Sequence, residues 1–127
     1  MSGTQQWAIT AEPPVSGFIV DETVTMRGVL RASVDATGSG ATEVVAAVPG
    51  FRIRVLALLV VVGSAVTVRF KSGTTAISAG YPFEANGGMA PPINPHGWFQ
   101  TAVGEALNID LSLAAVVGCD VTYCLVP

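Results

Sequence analysis

The chain has 127 residues, a net charge of −3 and a pI of about 4.8, so no overall positive field attracts nucleic acid. Charged residues make up only 12% of the sequence, against about 25% in ordinary soluble domains. Hydrophobic residues reach 50%, and the mean hydropathy is +0.58. The length and the absence of an internal repeat or long linker predict one domain. A surface with so little charge is poorly soluble alone, which predicts a homo-oligomer or a subunit of a larger assembly.

The first segment, residues 1–24, predicts an extended N-terminal arm on a domain formed by residues 25–127. It contains no Lys or Arg, and Pro13 and Pro14 exclude a helix or a central strand. Trp7 and Ile9 could add a short strand to a partner, and a disordered tail is an equal alternative. The first residues lack the basic and apolar regions of a secretion signal, so we expect folding in a cytoplasm.

Short strands separated by turn residues are predicted from residue 23 onward. Residues 23–36 alternate in polarity and end in the glycine-rich TGSG of residues 37–40, and residues 42–48 form a second strand that ends at Pro49-Gly50. No segment has a helical period. About eight such strands predict an all-β fold, an antiparallel jelly-roll-like β-sandwich.

The run VLALLVVVGSAVTV, residues 55–68, carries no charge. It is shorter than the roughly 20 residues of a membrane-spanning helix, and its many valines favour strands, so two strands joined at Gly63-Ser64 are predicted and no membrane partner. Strict alternation turns Phe51, Ile53, Val55, Ala57, Leu59 and Val61 toward the core. The opposite face then needs a second cover, which could be a second layer of the same domain or another subunit. We assign self-association to Leu56, Leu58, Val60 and Val62 on this face. Pairing of the two strands would gather Arg52, Arg54, Arg69 and Lys71 into a basic patch.

Residues 80–97 are rich in Gly and Pro and predict a long loop. Aromatic and amide side chains around this loop could bind a sugar, and the candidates are Tyr81, Asn86, Asn94 and Trp98. The alternative is that Trp98 and Phe99 are core or interface anchors. Alternation predicts two further strands, at residues 107–113 and 119–126.

No catalytic, metal-binding or cofactor-binding motif is recognisable. The acidic residues are not paired at short spacing, and His96 is the single histidine. Cys119 and Cys124 would lie on opposite faces of a strand about 16 Å apart, too far for a disulfide, so we expect two free, buried thiols. The sequence therefore predicts a protein that is not an enzyme, with no cofactor and no metal.

Several runs resemble small proteins common in tailed-bacteriophage genomes, over about residues 44–126. These runs are FRIRVLALLVVVGSAVTVRFKSGTTAISAGYPFEANGG, GWFQTAVGEALNIDLS and VVGCDVTYCLV. They are similar to a family pattern with a K-S-G-T-T turn, an A-N-G-G turn, G-W-F-x-T, G-E-A-L-N-L and a final G-x-V-T-Y strand. The matching positions are turn glycines and strand alternation, and none is catalytic.

The resemblance implies a capsid-decorating protein on the virion surface, a β jelly roll that assembles as a homo-oligomer, with a trimer expected, and binds the major capsid protein. The arm matches the pattern least, so docking is assigned to Trp7, Ile9, Pro13, Pro14 and Val15. A carbohydrate- or receptor-binding module that contacts a host-surface glycan is the alternative. No nucleic-acid partner is expected.

Overall fold

The structure is a computed structural model that describes residues 18–20 and 26–127. These residues form strands and connecting turns and contain no helix. The strands are β1 (Phe18–Val20), β2 (Met26–Gly28), β3 (Leu30–Ala36), β4 (Gly40–Val45), β5 (Arg52–Val62), β6 (Val66–Ser72), β7 (Thr75–Ala76), β8 (Tyr81–Phe83), β9 (Gly88–Met89), β10 (Phe99–Gln100), β11 (Leu107–Leu111) and β12 (Val117–Val126). The all-β class is confirmed.

Two antiparallel sheets pack face to face as a sandwich. The first, called the β5 sheet, has the order β10-β5-β12-β3, and β9 also pairs with β5. The second, called the β6 sheet, has the order β4-β11-β6-β7, and β8 also pairs with β6. From β3 to β12 the chain fills the two sheets in the strand order of an eight-stranded jelly roll. Two of the eight strand positions are each occupied by a pair of short strands. Strands β7 and β8 both pair with β6, and strands β9 and β10 both pair with β5.

Local turn chemistry explains most strand ends. The predicted turn at Gly63-Ser64 is confirmed between β5 and β6, and Pro49-Gly50 forms a turn, with Gly50 at a φ of +82°. The predicted first strand is divided at Val29 into β2 and β3. The predicted loop of residues 80–97 contains only the short strands β8 and β9, as expected.

The two central strands do not pair with each other, because β5 and β6 belong to different sheets. The predicted basic patch is therefore wrong. Arg54 is buried in the β5 sheet, where its Nε donates to Gln100 Oε1 at 2.9 Å. Lys71 lies on the β6 sheet beside Asp110, with 3.8 Å between Lys71 Nζ and Asp110 Oδ1.

A β-bulge at Leu56 reverses the facing of β5. Tyr123 of β12 pairs with Val55 and Thr122 pairs with Ala57, so Leu56 is an extra residue in β5. One extra residue exchanges the inward and outward positions that follow it. Ile53 and Val55 point into the core as predicted, but beyond the bulge Leu58, Val60 and Val62 take the inward positions.

The predicted self-association face is therefore wrong as a surface. Its four residues, Leu56, Leu58, Val60 and Val62, are at most 6% exposed within a single chain. Leu59 and Val61, which strict alternation placed in the core, point outward instead. Both sheets fill the core with β-branched and large apolar side chains, among them Ile53, Val60, Val68, Phe70, Leu107, Ile109 and Val121.

The arm lies almost entirely outside the described residues. Trp7, Ile9, Pro13, Pro14 and Val15 all fall there, so their docking role remains a prediction. Only β1 belongs to the predicted arm, and it pairs antiparallel with β2.

Candidate functional site

The outer surfaces of the two sheets differ in polarity. On the β6 sheet the outward positions carry polar and charged side chains: Thr67, Arg69, Lys71, Asn108, Asp110 and Glu43. The Lys71–Asp110 ion pair lies on this surface. A polar sheet surface of this kind can remain exposed to solvent and does not need to be buried against another layer or subunit.

The outer surface of the β5 sheet carries what we call the apolar face, formed by Ala57, Leu59, Val61 and Val116. Leu59 is 44% exposed, Val61 51% and Val116 65%. Val116 lies at the Val61 end, where its carbonyl accepts the Gly63 N–H at 2.8 Å. A contiguous group of half-exposed aliphatic side chains on a regular sheet is typical of an interaction surface.

Charged and polar residues of β3 and β12 border the apolar face. Outward positions pair across the strands, so Ala57, Thr122 and Arg31 form one row, and Val61, Gly118 and Asp35 form another. Between them, Ser33 Oγ donates a hydrogen bond to Asp120 Oδ1. Two shallow hollows flank Leu59. One, of about 300 Å³, is lined by Arg31, Asp120 and Thr122. The other, of about 260 Å³, is lined by Val61, Gly88 and Ala90.

The chain itself covers the other end of this sheet surface. Leu56, Cys124 and Val126 form a small outer cluster, and Val29, between β2 and β3, packs against it. The described part of the chain offers no such cover to the apolar face, which begins one residue beyond Leu56. The bulge therefore marks the boundary between a covered and an uncovered part of one surface.

The loop that precedes β10 is fixed to the bulge. The Asn94 N–H donates to the Leu56 carbonyl and the Trp98 N–H to the Val55 carbonyl, both at 2.8 Å. Trp98 Nε1 donates to the Pro92 carbonyl at 2.8 Å, while the side chain stays 44% exposed. Gly97 has a φ of +89°, and a Cβ there would lie 2.6 Å from Arg54 Cγ, so only glycine fits without a shift.

The predicted sugar-binding residues are only partly brought together. Asn94 and Trp98 share the loop fixed to β5, but Tyr81 pairs with Val68 on the β6 sheet and packs against the core. Asn86 lies in the turn between β8 and β9, beside the hollow at Val61. Phe99 is a core anchor, as its alternative assignment predicted, because its ring stacks on Phe70 with centroids 4.9 Å apart.

A hydrogen-bonded cluster, which sequence reasoning did not identify, connects three sequence runs: KSGTT, GWFQT and GEALN. Ser72 Oγ, from KSGTT, donates to Glu105 Oε1 at 2.5 Å and accepts the Ala102 N–H at 2.9 Å. Asn108 Nδ2, from GEALN, donates to the Gly73 carbonyl at 2.8 Å. Thr101 Oγ1, from GWFQT, accepts the Ile53 N–H at 2.9 Å.

These contacts tie the β6 sheet to β5 through the segment between β10 and β11. The polar residues of these three runs therefore have a structural role. Their presence at spaced positions between apolar residues was the signal in the sequence that could have identified the cluster.

Cys119 and Cys124 are buried on opposite sides of β12 and form no disulfide with each other, as predicted. Burial, with a smaller effect of the neighbouring Asp120 carboxylate, raises the pKa of the Cys119 thiol to about 12. A thiol with this pKa stays protonated at neutral pH and is a poor nucleophile. Within residues 26–127, no three His, Cys, Asp or Glu side chains are grouped so that they could hold a metal ion.

No helix in the described part of the chain is long and apolar enough to cross a membrane. Comparison with protein-family models, curated proteins and solved structures finds no match to this chain. Its function must therefore be inferred from its own fold and surfaces.

Proposed function

We propose that the protein is a structural virion component that binds the outside of a tailed-phage capsid as a homo-oligomer, with a trimer expected, and stabilises the shell. The observation that carries the proposal is the apolar face, on a sandwich whose other outer surface is charged. The jelly-roll strand order and the resemblance of residues 44–126 to phage proteins support the virion setting. The partners are further copies of the chain and the major capsid protein, and the protein folds in the host cytoplasm before it joins the virion.

Burial of apolar surface and mass action together would produce the stabilisation. Complete burial of an exposed Leu or Val side chain contributes about 1.5–3 kcal/mol, so Leu59 and Val61, each about half exposed, would contribute about 1 kcal/mol each. A protein that binds the assembled shell, and not its separated subunits, shifts the equilibrium toward the shell. No chemical step is required.

The oligomer is tested first, by light scattering of the purified protein at two concentrations. Leu59→Asp should reduce the mass to that of a monomer while the circular dichroism spectrum stays unchanged, because Leu59 points to solvent in one chain. Leu113→Asp is the matched control, since Leu113 is 51% exposed but lies in the turn after β11. A wild-type monomer at both concentrations would contradict the proposal.

Capsid binding is tested with heads of the parent phage prepared without this protein. Added protein should sediment with the heads and raise the temperature at which they release DNA. Deletion of residues 2–16 should abolish binding and leave the sandwich folded, as expected if Trp7, Ile9 and Pro13 to Val15 dock on the capsid. Full occupancy by the deletion variant would show that the arm is dispensable.

A host-surface glycan is a second candidate ligand, favoured by the exposure of Trp98 on a loop that backbone hydrogen bonds hold rigid. Exposed aromatic rings of this kind stack against sugars. Titration of tryptophan fluorescence with a host polysaccharide digest should give a saturable change that Trp98→Ala abolishes. A flat response would leave the capsid as the proposed partner.

A further inference from the structure

The charged residues at the border of the apolar face are arranged with opposite signs at opposite ends of β3. Arg31 and Asp35 are both exposed and point outward with the apolar face, in the rows that contain Ala57 and Val61. They lie four positions apart along β3, which separates them by about 13 Å, far beyond the reach of an ion pair. Neither makes an ion pair with another residue of the described chain.

We infer that a second copy of this chain covers the apolar face, in a closed ring in which Arg31 of each copy lies against Asp35 of the next. This inference rests on the homo-oligomer of the proposed function and names the face and the charges that specify it. Copies that turn this face toward a common axis, with their β3 strands running around it, would bring the Arg31 end of one β3 to the Asp35 end of its neighbour. Leu59, Val61 and Val116 would then be buried around the axis.

Charge complementarity favours a second copy over the chain's own N-terminal segment. Residues 1–17 contain one charged side chain, Glu12, and no Lys or Arg. That segment could neutralise Arg31, but it provides no basic side chain for Asp35. A second copy supplies both partners at once, since every copy carries both charges.

The position of Asp120 favours a ring over a face-to-face pair. A two-fold pair that sets Arg31 against Asp35 would also bring Asp120, midway between them on the neighbouring strand, close to its own equivalent. Like charges placed together at an interface are costly. In a ring, Arg31 of one copy meets Asp35 of the next at the edges of their faces, so no Asp120 carboxylate lies directly opposite its own equivalent.

The test is a charge exchange followed by the mass in solution. Arg31→Asp and Asp35→Arg should each place like charges together and raise the dissociation constant of the oligomer about 100-fold or more. The double variant R31D/D35R restores opposite signs and should return the dissociation constant to within about tenfold of wild type. Arg69→Asp and Glu43→Arg, on the outer surface of the β6 sheet, are matched controls that should leave the mass unchanged.

The outcomes separate this inference from the proposed function. A monomeric wild-type protein would overturn both the homo-oligomer and the ring. A wild-type oligomer whose mass is unaffected by Arg31→Asp and Asp35→Arg would overturn the ring contact alone. Single variants that dissociate without rescue in the double variant would also overturn the pairing, provided that circular dichroism shows all variants folded.

Discussion

The cluster at Ser72 makes a sharp prediction about stability, because one small side chain serves two partners. Ser72 is 2% exposed, and its hydroxyl joins the Glu105 carboxylate and the Ala102 N–H. Ser72→Ala removes both hydrogen bonds and creates almost no cavity. We therefore expect the free energy of unfolding to fall through lost hydrogen bonding alone.

The expected loss is about 2 kcal/mol, from two contributions of about 1 kcal/mol each. The Ala102 N–H loses its acceptor, which costs about 1 kcal/mol for a typical intramolecular hydrogen bond. A hydrogen bond to a charged group can contribute more, but Glu105 is exposed and water can solvate its freed carboxylate, so we assign about 1 kcal/mol to that bond as well.

Equilibrium unfolding in guanidinium chloride, followed by circular dichroism at a fixed protein concentration, measures the loss. Ser112→Ala is the matched control, because the Ser112 hydroxyl accepts one hydrogen bond within the described residues, from the Thr67 N–H, and lies at an exposed position. We expect about 0.5 kcal/mol for the control. A Ser72→Ala loss no larger than that of Ser112→Ala would refute a structural role for the cluster.

Two further predictions concern Gly97 and Cys119. Gly97→Ala should lower the free energy of unfolding by about 2 kcal/mol more than Gly104→Ala does. Both glycines have a positive φ, but only a Cβ at Gly97 would meet the Arg54 side chain. Equal losses for the two variants in chemical unfolding would contradict this contact. The Cys119 thiol has a pKa of about 12 in the fold and an ordinary value of 9.0, so the unfolded chain releases this proton first as pH rises. Stability should therefore be unaffected by this group below pH 9 and fall between pH 9 and 12, and Cys119→Ala should show a shallower fall over that window.

Much of the fold could be predicted from the sequence because its signals are local. Gly63-Ser64 and Pro49-Gly50 mark turns through their own backbone preferences, and the alternation of Leu107, Ile109 and Leu111 identifies β11 as a half-buried strand. The burial of the two cysteine thiols on opposite sides of β12 followed from strand geometry in the same way. Each of these predictions depends on a few neighbouring residues.

The candidate surface could not be predicted in the same way, because it depends on a single extra residue in β5. Nothing in the run of Leu and Val residues marks Leu56 as the bulge. The register with Thr122 and Tyr123, more than sixty positions away, fixes it. Without the extra residue, alternation assigns Leu59 and Val61 to the core and Leu58 and Val60 to the surface. The structure has the reverse, so the residues predicted to form the surface lie in the core.

The sequence by itself therefore determined the all-β class, the strand segments and the turns, since backbone preference and period-two alternation act over a few residues. Tertiary structure decided which sheet each strand joins, which separated β5 from β6 and dispersed the expected basic patch. It also decided which side of β5 is buried, because long-range strand pairing sets the bulge. The apolar face at Leu59 and Val61, with Arg31 and Asp35 at its border, exists only as a result of that pairing.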